Sequence, residues 1–330
     1  MQRRELGGVG SVTEVGLGCW EIGSDWGTVS AETGRAAVRT ALDAGVDFLD
    51  TADVYGDGRS ERLIREVLDD RDAHEEVTVA TKVGRRLDPH AAAGYTAENL
   101  ERFVDRSREN LGEDTLDLVQ LHCPPTEVYY RPEVFAALSD LRERGKIDSY
   151  GVSVEKVEQA LKAVEYPGVE TVQIICNPFR QRPTELFFEA AERRDVGVVV
   201  RVPLASGLLT GAVDRDAEFP EDDHRNYNRD GDAFDVGETF AGVPLDAGVD
   251  AVEALQRRGA VPDGATLAQF ALRWVLDHDA VSTVIPGSTT PAHIEDNVAA
   301  ADLPSLSHEA RGIAADVYDE FVREHVHHRW

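Results

Sequence analysis

Short apolar runs alternate with longer stretches of helical period from residue 15 to residue 300, and that alternation predicts repeated βα units. The runs at 15–19, 47–49, 77–82, 116–122, 147–152, 171–176, 197–201 and 282–285 make eight candidate strands. Several are apolar almost without interruption, as in VGVVV at 196–200, which is the pattern of a strand covered on both faces and therefore parallel. The segments between them carry one apolar face, for example Leu100, Phe103, Val104 and Leu111, or Leu267, Phe270, Ala271, Trp274 and Val275. Eight such units within 330 residues predict an α/β protein, a (β/α)8 TIM barrel, as one domain over residues 1–330.

Three segments fall outside the repeat. Residues 3–14 carry glycines at 7, 8 and 10 and predict a short hairpin across the barrel floor. Residues 307–326 read as an extra C-terminal helix. Between the seventh strand and the helix near Asp246 lies an insertion, 212–245, containing EFPEDDHRNYNRDGDAFDVGETF. It has neither helical nor strand period, so it is read either as a solvated acidic loop or as a mobile cover over a bound cofactor.

Composition narrows the function. The chain is 42% hydrophobic with no run of about 20 apolar residues, so no membrane-spanning helix is expected. Arg3 and Arg4 lack a following apolar stretch, which predicts no export signal and a cytoplasmic protein. Cys19, Cys123 and Cys176 are an odd count with no C-x-x-C pair, against a disulfide framework or structural zinc site. A formal net charge of -28 repels nucleic acid and anionic lipid alike. Oligomeric state leaves no mark in the pattern.

The acidity is spread through every segment, and Lys82, Lys146, Lys156 and Lys162 are the only lysines among 34 basic residues. In this respect the chain is similar to proteins of salt-loving archaea, which implies a halophilic source whose molar salt screens the self-repulsion.

Chemistry on a TIM barrel gathers at the carboxyl ends of the strands. Asp50 and Tyr55 follow the second strand in DTADVYGDGRSE, Lys82 ends the third in VTVATKVG, and His122 ends the fourth in LDLVQLHCPP. These four make a candidate proton relay. A phenol titrates near pH 10, and an adjacent ammonium lowers that value; Lys82 would do this to Tyr55. Asp50 would keep Lys82 charged, and His122 would orient a carbonyl oxygen by a hydrogen bond. Singly, each residue has an ordinary reading as a surface turn, a solvated lysine or a structural histidine. Packing alone gives no reason for all four to converge on one mouth.

With these motifs the sequence resembles the aldo-keto reductase family, through D-T-A-x-x-Y, T-K and L-H, and further through GLGCW at 16–20, YGVSV at 150–154, VQIICNPF at 172–179, PLASGLLTG at 203–211 and IPGSTTPAHIEDN at 285–297. The resemblance covers almost the whole chain. It implies a nicotinamide cofactor, NADP or NAD, bound across the mouth, with hydride passing to a carbonyl carbon and Tyr55 protonating the oxygen. The reverse reaction oxidises an alcohol. Gly18, Cys19, Trp20 and Asp50 are implied on the cofactor side, Ser153 and Gln173 on the carboxamide, and Arg201 beside the nicotinamide. Pro203, Leu204, Ser206, Gly207 and Leu209 would follow the pyrophosphate. Pro286, Gly287, Ser288, Thr289, His293, Asp296 and Asn297 would surround the adenosine end. Trp20, Trp26, Tyr55, His122 and Cys123 would line the pocket for a small carbonyl or alcohol substrate.

The chain departs from the family pattern at three points. Val154 stands where many relatives have Asn, and Arg201 where many stack an aromatic ring, although a planar guanidinium can also stack. Gly287 and His293 stand where NADP-specific relatives often carry Lys and Arg. Family habit still favours NADP. The missing basic pair keeps open an NAD-dependent sugar dehydrogenase, and a cofactor-sensing regulatory subunit with little turnover is a third reading.

Two other motifs carry no such weight. GGVGSV neither follows a strand nor opens a helix, so it is read as a turn. His325, His327 and His328 lack partners at ligand spacing and are read as a frayed polar terminus without metal.

Overall fold

The computed structural model describes residues 1–23 and 29–330. Eight parallel strands follow one another in strict chain order: β3 (Leu17–Gly18), β4 (Phe48–Asp50), β5 (Thr78–Val83), β6 (Leu116–His122), β7 (Ile147–Ser153), β8 (Val169–Ile175), β9 (Gly197–Arg201) and β10 (Val281–Val284). They follow a short antiparallel hairpin of β1 (Arg3–Glu5) and β2 (Ser11–Thr13). Parallel bridges from Val15 to Val284 and from Gly18 to Gly287 join the first barrel strand to the last, so the sheet curls into the (β/α)8 barrel the sequence predicts. The edges move by one or two residues: β4 reaches Asp50, β5 reaches Val83, and β8 starts at Val169.

Strand alternation sorts the barrel interior into layers. Phe48, Ala80, Leu118 and Val199 turn inward near the floor and pack with Ile285 against Leu6 and Val12 of the hairpin. The hairpin is therefore a plug, and burying Leu6 there contributes roughly 1.5–3 kcal/mol. Gly7 makes the close approach possible, because a Cβ on it would lie 2.1 Å from Glu170 O. Two residues further along the same strands stand Asp50, Lys82, Gln120 and Arg201, all shielded from solvent. The floor is apolar and the mouth is polar because each inward position lies on one side of that divide.

The helices pack as their periodicity requires. Leu100, Phe103, Val104 and Leu111 are buried on the helix Ala97–Leu111, whose N-cap Thr96 accepts a hydrogen bond from Asn99 N. Leu267, Phe270, Ala271, Trp274 and Val275 are buried on Leu267–Leu276, which opens with a Thr266–Gln269 capping box.

Two expectations need correction. The insertion is not without helix: it contains a short helix, His224–Tyr227, capped by Asp223, and the 3-10 turns Val236–Glu238 and Phe240–Gly242. Elements of three or four residues are too short to leave a period in sequence. The terminus is not frayed either. The C-terminal helix runs as His308–Val317, a π segment Tyr318–Val322, and Arg323–Val326. Beyond it Trp330 is buried, its indole N–H donates to Asp235 Oδ1 at 2.9 Å, and the Arg180 guanidinium covers its ring at 3.8 Å. His327 Nδ1 lies 2.9 Å from the Tyr318 hydroxyl.

No helix among the described residues is long and apolar enough to cross a membrane. All three cysteines are buried free thiols.

Candidate active site

Past β4 the backbone keeps pairing alongside β5, with Thr51 N donating to Ala80 O and Asp53 N to Lys82 O. It then turns at Gly56, whose φ is +56° and whose Cβ, if present, would meet Gly23 O at 2.1 Å. Only glycine tolerates both conditions. That turn swings Tyr55 back over the mouth, and the helix Arg59–Arg71 follows. Thr51 Oγ1 donates to Ser60 Oγ, which donates to Cys19 O, pinning the turn to the first strand.

The four predicted residues come together. Lys82 Nζ lies 2.6 Å from Asp50 Oδ2, 2.9 Å from Thr51 O and 3.4 Å from the Tyr55 hydroxyl. Tyr55 meets the His122 ring edge-on at 5.8 Å between centroids. Asp50 also receives the Gln173 side-chain amide on Oδ1 at 2.7 Å. Both carboxylate oxygens are thus engaged in a water-poor site, where an unpaired charge would be costly.

The electrostatics modify one expectation. Burial weighs against the Lys82 cation, but Asp50 and Tyr55 outweigh it and hold the ammonium above its usual range. For Tyr55, burial wins: it pushes the phenol up to about 12, while Lys82 pulls down and Asp50 and Glu238 push up. The lysine therefore limits the rise without producing a lowered value, because desolvation of a phenolate exceeds one partly compensated cation. Burial, and then the neighbouring Arg85, Lys82 and Arg201, hold His122 well below its usual range, so its imidazole is neutral at physiological pH.

The remaining site residues are distributed around this centre. Ser153 and Gln173 stand side by side in register on β7 and β8. Cys123 Sγ is 3.5 Å from Ser153 Oγ, while Cys19 Sγ points to Leu17 O. Arg201 donates to Val154 O at 3.1 Å and lies 3.6 Å from Cys123 Sγ. After β9 and Pro203, Leu204 leads into a kinked turn where Ala205, Ser206 and Gly207 all have positive φ before Leu209. Gly18 and Gly287 are bridged beyond β10, and a Cβ on Gly18 would meet Ile285 O at 2.9 Å. Pro286 accepts from Gly18 N, and Ser288 Oγ accepts from Thr290 N. Thr289 precedes the helix Pro291–Ala299, which carries His293, Asp296 and Asn297. Trp26 lies outside the described residues.

The insertion packs onto the mouth. Trp20 contacts His224 at 4.9 Å and Phe234 at 5.8 Å between centroids, and stacks on Tyr55 at 6.2 Å. Ser206 Oγ accepts from Phe240 N and donates to Glu238 O. Glu238 reaches Arg85 at 3.0 Å and Arg201 at 3.7 Å.

Arg85, Glu155, Phe234 and Glu238 were not singled out in the sequence. Arg85 stands three residues beyond Lys82 and Glu155 two beyond Ser153, so their position past strand ends was a usable signal. Phe234 and Glu238 had none, because their segment has no period.

The class of protein to which a mouth of this geometry at the carboxyl end of a (β/α)8 barrel belongs follows from comparison with known proteins. The Aldo/keto reductase family model matches residues 14–315; the chain belongs to that family, whose members are NAD(P)-dependent oxidoreductases. It is 28% identical to Aldo-keto reductase YhdN of Bacillus subtilis (strain 168), over 86% of this chain and 83% of that one. It is 27% identical to Aldo-keto reductase yakc [NADP(+)] of Schizosaccharomyces pombe, over 88% and 84%. Among solved structures, the glycerol dehydrogenase of Gluconobacter oxydans superposes with a TM-score of 0.75 at 28% identity, covering 98% of this chain and 96% of that one.

Proposed function

We propose that the chain reduces small aldehydes, ketones or sugar carbonyls with a nicotinamide cofactor, and oxidises the corresponding alcohols in reverse. The observation that carries this reading is the buried chain Asp50, Lys82, Tyr55, with His122 across from the phenol.

The lining of the mouth supports a bound dinucleotide. Ser153 and Gln173 would hold a carboxamide, the turn at Ser206 and Gly207, with its positive φ, would offer backbone to a pyrophosphate, and Gly287 to Asn297 would receive the adenosine end. When bound, the cofactor supplies or accepts hydride. The rest belongs to the protein. His122, neutral, donates a hydrogen bond to the carbonyl oxygen and fixes it beside Tyr55. Tyr55 holds its proton at neutral pH and gives it to the oxygen as negative charge develops there. Lys82 stabilises the phenolate left behind, and Asp50 keeps Lys82 charged and in place.

NADP is favoured, in keeping with the Schizosaccharomyces pombe relative, whose name carries NADP(+). A second reading, oxidation of a polyol or sugar with NAD, is supported by Gly287 and His293 in place of a basic pair and by the glycerol dehydrogenase among the structural neighbours.

The test is turnover. Protein mixed with NADPH or NADH and a panel of carbonyls bleaches the nicotinamide absorbance, and Tyr55→Phe slows it by about 10²–10⁴. Equal rates in the variant would refute the role of Tyr55.

A further inference from the structure

We propose that Glu238 is a specificity-determining residue, a fixed carboxylate that binds Arg85 and faces Arg201, so that the mouth accepts uncharged carbonyl compounds in preference to those bearing a carboxylate. The inference rests on the carbonyl-reductase reading and names its substrate class.

Two guanidinium groups converge beside the reacting end. Arg85 leaves β5 just after Lys82, and Arg201 ends β9; both are largely shielded from water. Arg201 lies 3.6 Å from the thiol of Cys123, the residue after His122. Convergent, poorly hydrated guanidinium groups are the usual means of seizing a carboxylate. Left unpaired they would recruit an acidic substrate. Here the insertion supplies the carboxylate itself, because one oxygen of Glu238, Oε1, faces both arginines at 3.0 and 3.7 Å.

Glu238 is a wall and not a swinging arm. Its backbone oxygen accepts from Ser206 Oγ at 3.1 Å, and its turn is capped by Asp235 Oδ1, which receives Gly237 N at 2.7 Å and the Trp330 indole at 2.9 Å. Burial opposes its charge, but Arg85 and Arg201 prevail and hold it below the usual carboxylate range, so it is ionised wherever an enzyme would work.

A second carboxyl deepens the exclusion. Oxygens of Glu155 and Glu238 and the Cys123 sulfur all lie within 4.8 Å of one another. Burial first, and then Asp235 and Glu238 against the opposing pull of Arg85 and Arg201, push Glu155 up to about 7, the behaviour of a carboxyl in a poorly hydrated place where a further charged carboxylate is costly. A substrate carboxylate entering here undergoes the same desolvation and meets Glu238, which already holds Arg85 by a hydrogen bond and faces Arg201. Hydroxyl groups, by contrast, can donate to Glu155 and Glu238 without bringing charge.

The experiment compares 4-formylbenzamide with 4-carboxybenzaldehyde, a near-isosteric pair differing in charge, using purified protein and NADPH. The ratio of kcat/KM for amide over acid is expected to exceed about 10 in the wild type and to fall at least tenfold in Glu238→Gln. Removing Arg85 as well, in Arg85→Gln/Glu238→Gln, should cancel that fall. The ratio is internal to each variant, so a general loss of rate does not affect it. Arg85→Gln alone, with Glu238 left without its nearer partner, should raise the ratio, and it serves if Glu238→Gln does not fold. A ratio constant within twofold across the folded variants, or a wild type preferring the acid, overturns the proposal.

Binding of benzoate against benzamide, followed by tryptophan fluorescence, gives the same comparison without turnover. Absent turnover on both aldehydes, joined to a tenfold gain in benzoate affinity in Glu238→Gln, would count against the carbonyl-reductase reading and leave the gatekeeping carboxylate standing. No gain in benzoate affinity would sink the gatekeeper.

Discussion

Lys82 sets its ammonium 2.6 Å from Asp50 Oδ2, with both side chains at 5% exposure or less. A pair so deeply buried balances desolvation against mutual attraction, and its net worth to folding is small compared with the cost of breaking it. Lys82→Met leaves a buried carboxylate with Gln173 as its one side-chain partner among the described residues and should destabilise the protein by about 3–5 kcal/mol. Asp50→Asn/Lys82→Met, which removes both charges, should recover much of that loss while remaining inactive. Urea unfolding of the two variants decides it. Equal stabilities would show that the pair is not coupled.

The two reaction directions should part company with pH. Tyr55 is pushed up to about 12, chiefly by burial, so the protonated form needed for reduction is fully present from pH 6 to 10. Oxidation needs the phenolate and should climb roughly tenfold per pH unit over that range. Rates in both directions across pH 6–10 test this, and a reduction rate that declined as pH rose from 6 to 10 would contradict it.

Stability on the acid side should carry a mark of His122. Burial holds its folded value below that of the unfolded chain, so as pH falls through about 6.5 the unfolded chain takes up a proton that the native state refuses. Stability is therefore lost toward acid, and His122→Gln should lessen that loss between pH 6.5 and 5. A thermal melt at each pH, in which the variant tracked the wild type in slope, would remove His122 from the account.

Trp330 ties the end of the chain to the insertion through Asp235, and its ring packs on Gly237 and Gly242. Trp330→Ala should cost about 3–5 kcal/mol and expose the 212–245 segment to proteolysis before global unfolding. Cleavage within that segment at the wild-type rate would show that the indole does not secure it.

Charge spacing leads to a salt prediction. Half-buried surface arginines pair across neighbouring helices, as in Arg35 with Glu66 and Arg39 with Asp70, but such pairs contribute only about 0–1 kcal/mol each and weaken in salt. Relief of self-repulsion at a net charge of -28 should prevail, so the melting temperature should be higher in 2 M KCl than in ~0.1 M. A flat or falling melting temperature would remove the case for a halophilic protein.

The barrel was legible because its strands are short, apolar and regularly spaced, and the catalytic candidates because Asp50, Lys82 and His122 lie at strand ends and Tyr55 in the loop just after one. Asp50, Lys82 and His122 occupy inward positions whose parity follows from Phe48, Ala80 and Leu118 on the same strands. The direction of the Tyr55 shift was not legible, since it depends on how much water the insertion excludes. Nor was Glu238: its partners Arg85 and Arg201 lie 153 and 37 residues earlier in the chain. A contact that exists only after the barrel closes leaves no local pattern.

That closure bears on how the molecule assembles. The floor plug needs Phe48, Ala80, Leu118, Val199 and Ile285 in place at once to receive Leu6 and Val12, and the seam from Val15 to Val284 joins residues 269 positions apart. Contacts of such long loop closure are gained late and slow the search for the native state. Until β10 is in place the barrel has seven of its strands, an open edge and an unseated hairpin, so the closing of residues 281–285 governs when Leu6 and Val12 find their place.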